Sequence, residues 1–332
     1  MPVSLNREAL GVLHNQKNLL AFSGGSDSSA LFHLLLEHRI PFDIAHVNYH
    51  TRQQSHTEAR YAQTLAAAHH KTCFSKSVTL EAANFEHRAR SVRYAFFHEV
   101  VRQHGYCNLI TAHQLNDRLE WFLMQLSKGS GLYELVGMKP VEVRKHYTLV
   151  RPLLHLNSQT ITHYLKQHNI TYFMDESNDD MRLQRNYFRA HFATPLLQQY
   201  AEGIAKSFAF LDEDIATLVD EPSILHVNLL SYFILPNHRR STLIAIDKTL
   251  KIRGCVMSLH EKNLLKTSDT LVVSRRYVVT IGRRYCFIAP YIKRTMSPSF
   301  KEQCRRLKIE PKLRGYLFGD AQSFECLKSL LL

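Results

Sequence analysis

The first part of this 332-residue chain predicts an α/β fold, a mostly parallel sheet with helices on both faces, followed by a smaller α+β region. Three observations carry that prediction. Short apolar runs alternate with helical patterns from Asn18 to about His168. In Asn18–Ser29, NLLAFSGGSDSS, an apolar run ends in a Gly-Gly turn and opens into a helical pattern at Ala30. Past Pro195 the alternation stops and the chain changes character.

Leu19–Phe22 has the length and flanks of a buried strand, and Ala30, Leu31, Leu34 and Leu35 repeat at helical spacing. The turn Ser23-Gly24-Gly25-Ser26-Asp27-Ser28 therefore sits at the mouth of a helix. Adjacent glycines let the backbone approach an anion and accept positive φ, while hydroxyls and first-turn N–H groups supply donors. That suits phosphate or pyrophosphate. The absence of Gly-Lys-Ser/Thr excludes a Walker A loop, and the adjacency of the glycines excludes the Gly-x-Gly-x-x-Gly turn. Asp27 adds a carboxylate suited to a magnesium ion accompanying ATP.

After Pro41, Phe42–Val47 forms a second strand, leading to His46, Asn48 and Arg52. Ligands of open α/β sheets collect at the carboxyl ends of strands, so these residues should share a crevice with Gly24 and Gly25. Glu58–Ala68 reads as helix, Thr72–Val78 as a third strand, and Asn84–Gln103 as a helix carrying Arg88, Arg90, Arg93 and Tyr94. Arg90 and Arg93 share a face, to grip phosphate or to be solvated. Asn108–Thr111 is the fourth strand, with His113 at its carboxyl end. His113, Asp117 and Glu120 then line one side of a helix as a base, a metal-binding carboxylate and a second acid. That helix contains Trp121 and Met124, both read as core, and ends in the mobile turn Gly129-Ser130-Gly131.

Thr148–Val150 is a fifth strand, and Asn157-Ser158 caps a helix running to about His168. Asp175–Asp179 is dense in turn formers and precedes Arg182, Arg185-Asn186 and Arg189. Arg185 and Arg189 lie four apart on one helical face, able to bind nucleotide or an RNA backbone. Leu196–Val219 reads as a helical connector. Leu271–Pro290 alternates in a β manner around Gly282, with Arg275-Arg276 and Arg283-Arg284 near the hairpin, there for solubility or for RNA phosphate. The expected division is a catalytic domain 1–194, a connector 195–220 and a C-terminal α+β domain 221–332.

The net charge of +13 draws the chain to a polyanion, nucleic acid above all. No run reaches transmembrane length and Met1–Leu20 lacks a signal-peptide core, so a cytoplasmic location is expected. The six cysteines contain no Cys-x-x-Cys pair and read as thiols in a reducing compartment.

The Ser-Gly-Gly-x-Asp-Ser turn resembles the pyrophosphate (PP) loop of ATP pyrophosphatases, which adenylate a substrate oxygen. Further stretches narrow the match: His46-Val47-Asn48 with Arg52, Ala89-Arg90 with Arg93-Tyr94, and Thr111-Ala112-His113 with Asp117 and Glu120. Gly129–Leu132, Arg151–Leu154 and Asp175–Arg189 follow. In this order they resemble the tRNA(Ile)-lysidine synthetase family over roughly the first 190 residues.

The resemblance implies a Rossmann-like PP-loop domain, ATP and Mg2+, and as partners free L-lysine and an isoleucine tRNA with a CAU anticodon. No amphipathic helix with a Lys/Arg-rich polar face points to a membrane, and no stable protein partner is evident. Lysine would be ligated onto the wobble cytidine through an adenylated cytosine, giving lysidine. By the same resemblance Ser23, Gly24, Gly25, Ser26, Asp27 and Ser28 bind ATP, and Asp27 and Asp117 hold magnesium. Asp27, His113 and Asp117 are catalytic, with His113 shuttling a proton or orienting phosphate. Arg52, Arg90, Arg93, Glu120, Asp175, Asn178, Arg185, Asn186 and Arg189 contact tRNA or substrate. Glu120 or Asp175 takes the lysine proton, Tyr49 stacks on the cytosine, and the C-terminal region meets tRNA.

Where the family has His-Gly this chain has Tyr49-His50, and Glu176 stands in place of a proline. Gln114, Asn116 and Arg118 replace a His, an Asp and a Gln, so the metal role rests on Asp117 and Arg118 is expected to replace a cation or contact phosphate. Two alternatives stand beside this reading. A tRNA thiolase of the same loop group would need reactive cysteines at the site. A catalytically decayed tRNA-binding protein is suggested by Gln114 and Asn116 and opposed by the intact loop.

Overall fold

The structure, a computed structural model, describes residues 3–50, 54–80, 85–174 and 182–332. The chain divides into two compact units, Met1–Glu213 and Asp214–Leu332.

The first unit runs α1 (Arg7–Leu13), β1 (Asn18–Ala21), α2 (Ser26–Glu37), β2 (Phe42–Asn48), α3 (Gln54–Ala68), β3 (Cys73–Ser77), α4 (Phe85–His104), β4 (Asn108–Ile110) and α5 (Leu115–Leu126). It continues through α6 (Leu132–Val136), β5 (Val141–Val143), β6 (Thr148–Val150), α7 (Ser158–Gln167), α8 (Gln184–Phe188), a π-helical turn at Arg189–Ala193 and α9 (Thr194–Leu218). The sheet order is β3-β2-β1-β4-β6-β5, parallel except for β5 on β6.

Alternation along the strands builds two cores. Leu20, Ile44, Ile110 and Val150 point to one face and pack with Leu31, Leu34 and Leu35 of α2 and Ile161 and Leu165 of α7. Leu19, Ala45, Leu109 and Leu149 point to the other and meet Phe97, Val100 and Val101 of α4. Helices thus cover both faces, as the continuous apolar strands require. Buried Asn18 ties the amino ends together, donating to Leu13 O at 3.0 Å and Pro41 O at 2.7 Å while accepting from Asn108 Nδ2 at 2.8 Å.

Several elements escaped the sequence reading, α1 and β5 among them. Helix α1 is a short helix whose Asn6 cap accepts from Ala9 N at 3.0 Å. Strand β5 is three residues long and lies at the sheet edge, too short for its alternation to register. Trp121 corrects the expected core position. It is 40% exposed, donates from Nε1 to Glu134 O at 2.8 Å and lies over Gly137 at the end of α6.

The second unit holds β7 (Leu225–Val227), β8 (Leu230–Ile234), α10 (Arg239–Ile252), α11 (Leu259–Thr267), β9 (Thr270–Val273), β10 (Tyr277–Ile281) and β11 (Tyr285–Pro290). Helices α12 (Pro298–Arg306), α13 (Pro311–Phe318) and α14 (Ala321–Leu331) close it. Its antiparallel sheet, ordered β7-β8-β11-β10-β9, has α10 and α11 packed on one face and α12 to α14 on the other. The region around Gly282 is two hairpins, with Arg275-Arg276 between β9 and β10 and Arg283-Arg284 between β10 and β11. Among the described residues no helix is long and apolar enough to cross a membrane.

Candidate active site

Strand β1 is flanked by β2 on one side and β4 on the other, so the direction of winding reverses between β1 and β4. The loops after these two strands open into one crevice, the place where open α/β sheets collect ligands. One supplies Ser23–Ser28, the other Thr111–Asp117.

The first loop is held by its own hydroxyls. Ser28, only 4% exposed, accepts from Gly24 N at 3.1 Å and Ser23 N at 3.3 Å and donates to Gly25 O at 3.1 Å. Ser28 therefore shapes the turn from beneath. Ser23 lies exposed and Ser26 half-buried above it. Gly24 has φ +86°, and a Cβ there would stand 3.4 Å from the ring of Phe173, whose N–H donates to Gly24 O at 2.9 Å. Gly25 caps α2 without any side-chain hydrogen bond, so the first-turn N–H groups are presented to an anion.

Asp27 and Asp117 converge from the first turns of α2 and α5. The Asp27 carboxyl is pushed up to about 7, first by burial and then by the charge of Asp117; hydrogen bonds from Ser26 and Gln114 and the charge of Arg189 oppose the rise. Two neighbouring carboxylates at the phosphate turn are hard oxygen donors, the donor type a divalent cation takes. Among the described residues no cluster of three or more His, Cys, Asp or Glu could hold a metal alone, so phosphate and water oxygens would complete its shell. Gln114 joins the two sides. Its side chain accepts from Asn116 N at 3.2 Å, its backbone N–H is held by Asp117 Oδ2 at 2.9 Å, and it hydrogen-bonds Asp27.

Glu120 is 1% exposed and saturated. It accepts from Arg185 Nε at 2.8 Å, from Arg189 Nε at 2.6 Å and from Arg189 Nη2 at 3.3 Å. Arg185 also pairs with Asp117. The two arginines share one face as their spacing implied, and Glu120 anchors them. Asn186 is buried beside them at 6% exposure. Arg52, Asp175 and Asn178 lie outside the described residues.

His113 follows β4 with Nδ1 2.9 Å from Thr111 Oγ1. Burial, and then the charges of Arg151, Arg185, Arg90 and Arg93, depress it to about 3. The imidazole is thus neutral near pH 7, encircled by guanidinium charge that favours an anion. Arg151 is scaffold, bonded to Lys139 O at 2.8 Å and Glu142 Oε2 at 3.0 Å. Arg90 and Arg93 are exposed; Arg90 lies over the Tyr94 ring at 5.0 Å. Tyr49 donates to Ala89 O at 2.9 Å and accepts from Arg93 Nε at 3.3 Å, so its hydroxyl positions that helix. His50 takes φ +53° where the family's glycine would stand, and the left-handed turn survives with its N–H on Asn48 Oδ1 at 2.9 Å.

One expectation, a cation or phosphate role for Arg118, fails on geometry, and Asn116 is also committed elsewhere. Asn116 points both ends of its amide at α7, donating to Ser158 Oγ at 3.2 Å and accepting from Ser158 N at 3.1 Å. Arg118, 4% exposed, is paired with Asp212 at 2.5 Å and stacked 4.5 Å from the Phe208 ring. Neither addresses the phosphate turn: one joins helices and the other locks α5 to α9. Gln114 is the site residue the sequence concealed, because only the fold brings it to Asp27. None of the six cysteines lies in the loop, in α5 or in α8.

A hydroxyl-braced Ser-Gly-Gly-x-Asp-Ser turn at a sheet switch point, faced by a second carboxylate, defines a PP-loop protein; the PP-loop domain family matches residues 4–196. The chain is 45% identical over 309 residues to a tRNA(Ile)-lysidine synthase of Wolinella succinogenes, covering 92% of this chain and 94% of that one. It is 40% identical to one from Campylobacter jejuni subsp. jejuni, covering 96% and 97%. The chain belongs to the tRNA(Ile)-lysidine synthase family. A solved U34-tRNA thiolase of Methanococcus maripaludis shares its fold, with TM-score 0.52, 17% identity and coverage of 66% of this chain and 77% of that one.

Proposed function

We propose that this chain ligates free L-lysine onto the wobble cytidine of an isoleucine tRNA with a CAU anticodon, at the expense of ATP, giving lysidine. The observation that carries the reading is the convergence of Asp27 and Asp117 on the Ser23–Ser28 turn in a chain of this family.

The cytosine carbonyl oxygen attacks the ATP α-phosphate and pyrophosphate leaves into the turn, where Gly25, the Ser26 end of α2 and the exposed Ser23 hydroxyl receive it. Magnesium held by Asp27 and Asp117 would neutralise charge on the phosphates. Lysine nitrogen then attacks the adenylated carbon, AMP departs, and the amine gives up a proton. Glu120 is committed to Arg185 and Arg189, which leaves Asp175 as the candidate acceptor. Neutral His113 and its arginine ring orient the anion at the crevice mouth. Residues 1–194 act as the ATP-binding domain, 195–220 as connector and 221–332 as a tRNA-contacting domain, all in the cytoplasm.

AMP release from ATP, measured with the CAU transcript with and without lysine, tests this. Lysine-dependent release supports a ligase. Release that ignores lysine contradicts it, and no release at all favours a binding protein.

A further inference from the structure

We propose that the aromatic face of α8 and the π-helical turn is a stacking platform for the unpaired anticodon-loop bases next to the wobble cytidine. Tyr187 is 45% and Phe192 44% exposed. Their rings lie 6.0 Å apart, with His191 4.5 Å from Tyr187 and Phe188 5.4 Å from Phe192. The opposite side of the same segment already supplies the core, where Ala193 and Leu197 pack on Leu115 and Leu119 of α5. The exposed rings are therefore surplus to folding, and leaving them in water costs free energy that a ligand covering them recovers.

Two further features say what covers them. From Arg182 to Ala201 the chain has no acidic residue, and although two of its three arginines, Arg185 and Arg189, are held on Asp117 and Glu120, nothing in the segment repels a polyanion, which suits it better than a second copy of this +13 chain. The wide turn at Arg189–Ala193 lets one short segment do two things. It places Arg189 on Glu120 inside the site while Phe192 faces solvent. Aromatic faces interleaved with guanidinium groups hold single-stranded bases by stacking and phosphates by charge. The platform is thus within a turn of Arg185 and Arg189, the residues that hold the acid pair.

The proposal rests on the tRNA reading above, and the test separates the two. 2-Aminopurine is placed beside the wobble cytidine in the CAU anticodon loop, and its fluorescence is followed as full-length protein is added. Wild type should quench it. Tyr187→Leu with Phe192→Leu, which keeps apolar bulk, should abolish the quench and raise the tRNA KM roughly 5- to 100-fold, leaving ATP and lysine KM unchanged. Phe192→Tyr, which keeps a ring, should restore most of the affinity and controls for folding. Unchanged quench and tRNA KM in the double Leu variant overturn the platform while leaving the ligase reading intact. Loss of a wild-type dimer in that variant by sedimentation assigns the face to a second copy and also overturns it. Wild type that quenches but releases no lysine-dependent AMP would sink the ligase reading and keep the platform.

Discussion

Arg185 grips Glu120 through Nε at 2.8 Å and pairs with Asp117 through the other end of its guanidinium, so one side chain holds the Asp117 and the buried Glu120 carboxylates in register. Arg185→Ala should therefore do more than remove a surface charge. With Glu120 almost fully buried, losing one of its two cations costs about 3 kcal/mol, the usual penalty for half a buried pair. Urea unfolding should show that loss, and lysidine formation should fall at least about 100-fold. Arg185→Ala that binds tRNA weakly but turns over normally would contradict the clamp.

Asp27 lies the other way. Its folded carboxyl sits at about 7, above the ordinary carboxylate range, so the folded state holds a proton that the unfolded chain releases. Stability from this group is present at acid pH and is lost as pH rises toward and through 7. At pH 8 without magnesium, Asp27→Asn should raise the melting temperature by a few degrees while abolishing activity. Magnesium should stabilise wild type at that pH and leave Asp27→Asn unmoved. A melting temperature equal for the two proteins at pH 8 would show that the acid pair is not crowded.

Asn116→Asp would restore the carboxylate the family carries at this position, yet no gain in activity at low magnesium is expected. Its amide serves Ser158, and a carboxylate cannot donate to that hydroxyl in the same way. The expected effect is a loss of about 1–2 kcal/mol in urea unfolding. Activity rising several-fold at low magnesium would place the residue in the metal site after all.

Gly137→Ala should destabilise by about 2 kcal/mol or more. Its φ is +63° and a Cβ would lie 2.2 Å from Trp121 Nε1, the atom that bonds Glu134 O. A thermal scan with tryptophan fluorescence reads both the stability and the moved indole, since this chain has a single tryptophan.

The sheet and the turn were legible because each uses local signals: apolar strands, a Gly-Gly turn at a helix mouth, and Asn157 capping α7 at 2.8 Å from Thr160 N. The roles of Asn116 and Arg118 were not, because their partners Ser158 and Asp212 lie 42 and 94 residues away. Spacing placed Glu120 on the right helical face but gave no sign that two arginines from beyond residue 182 would saturate it. Trp121 looked like core from its type alone, whereas its indole N–H needed a carbonyl at the rim.

Mass analysis of the wobble nucleoside, after incubating the CAU isoleucine tRNA with protein, ATP, magnesium and lysine, is the most direct trial. The expected product is a cytidine carrying one lysine, formed only when both ATP and lysine are present and absent with Asp27→Ala. An unmodified cytidine with active-folded wild type, or a modified one with Asp27→Ala, would contradict the account.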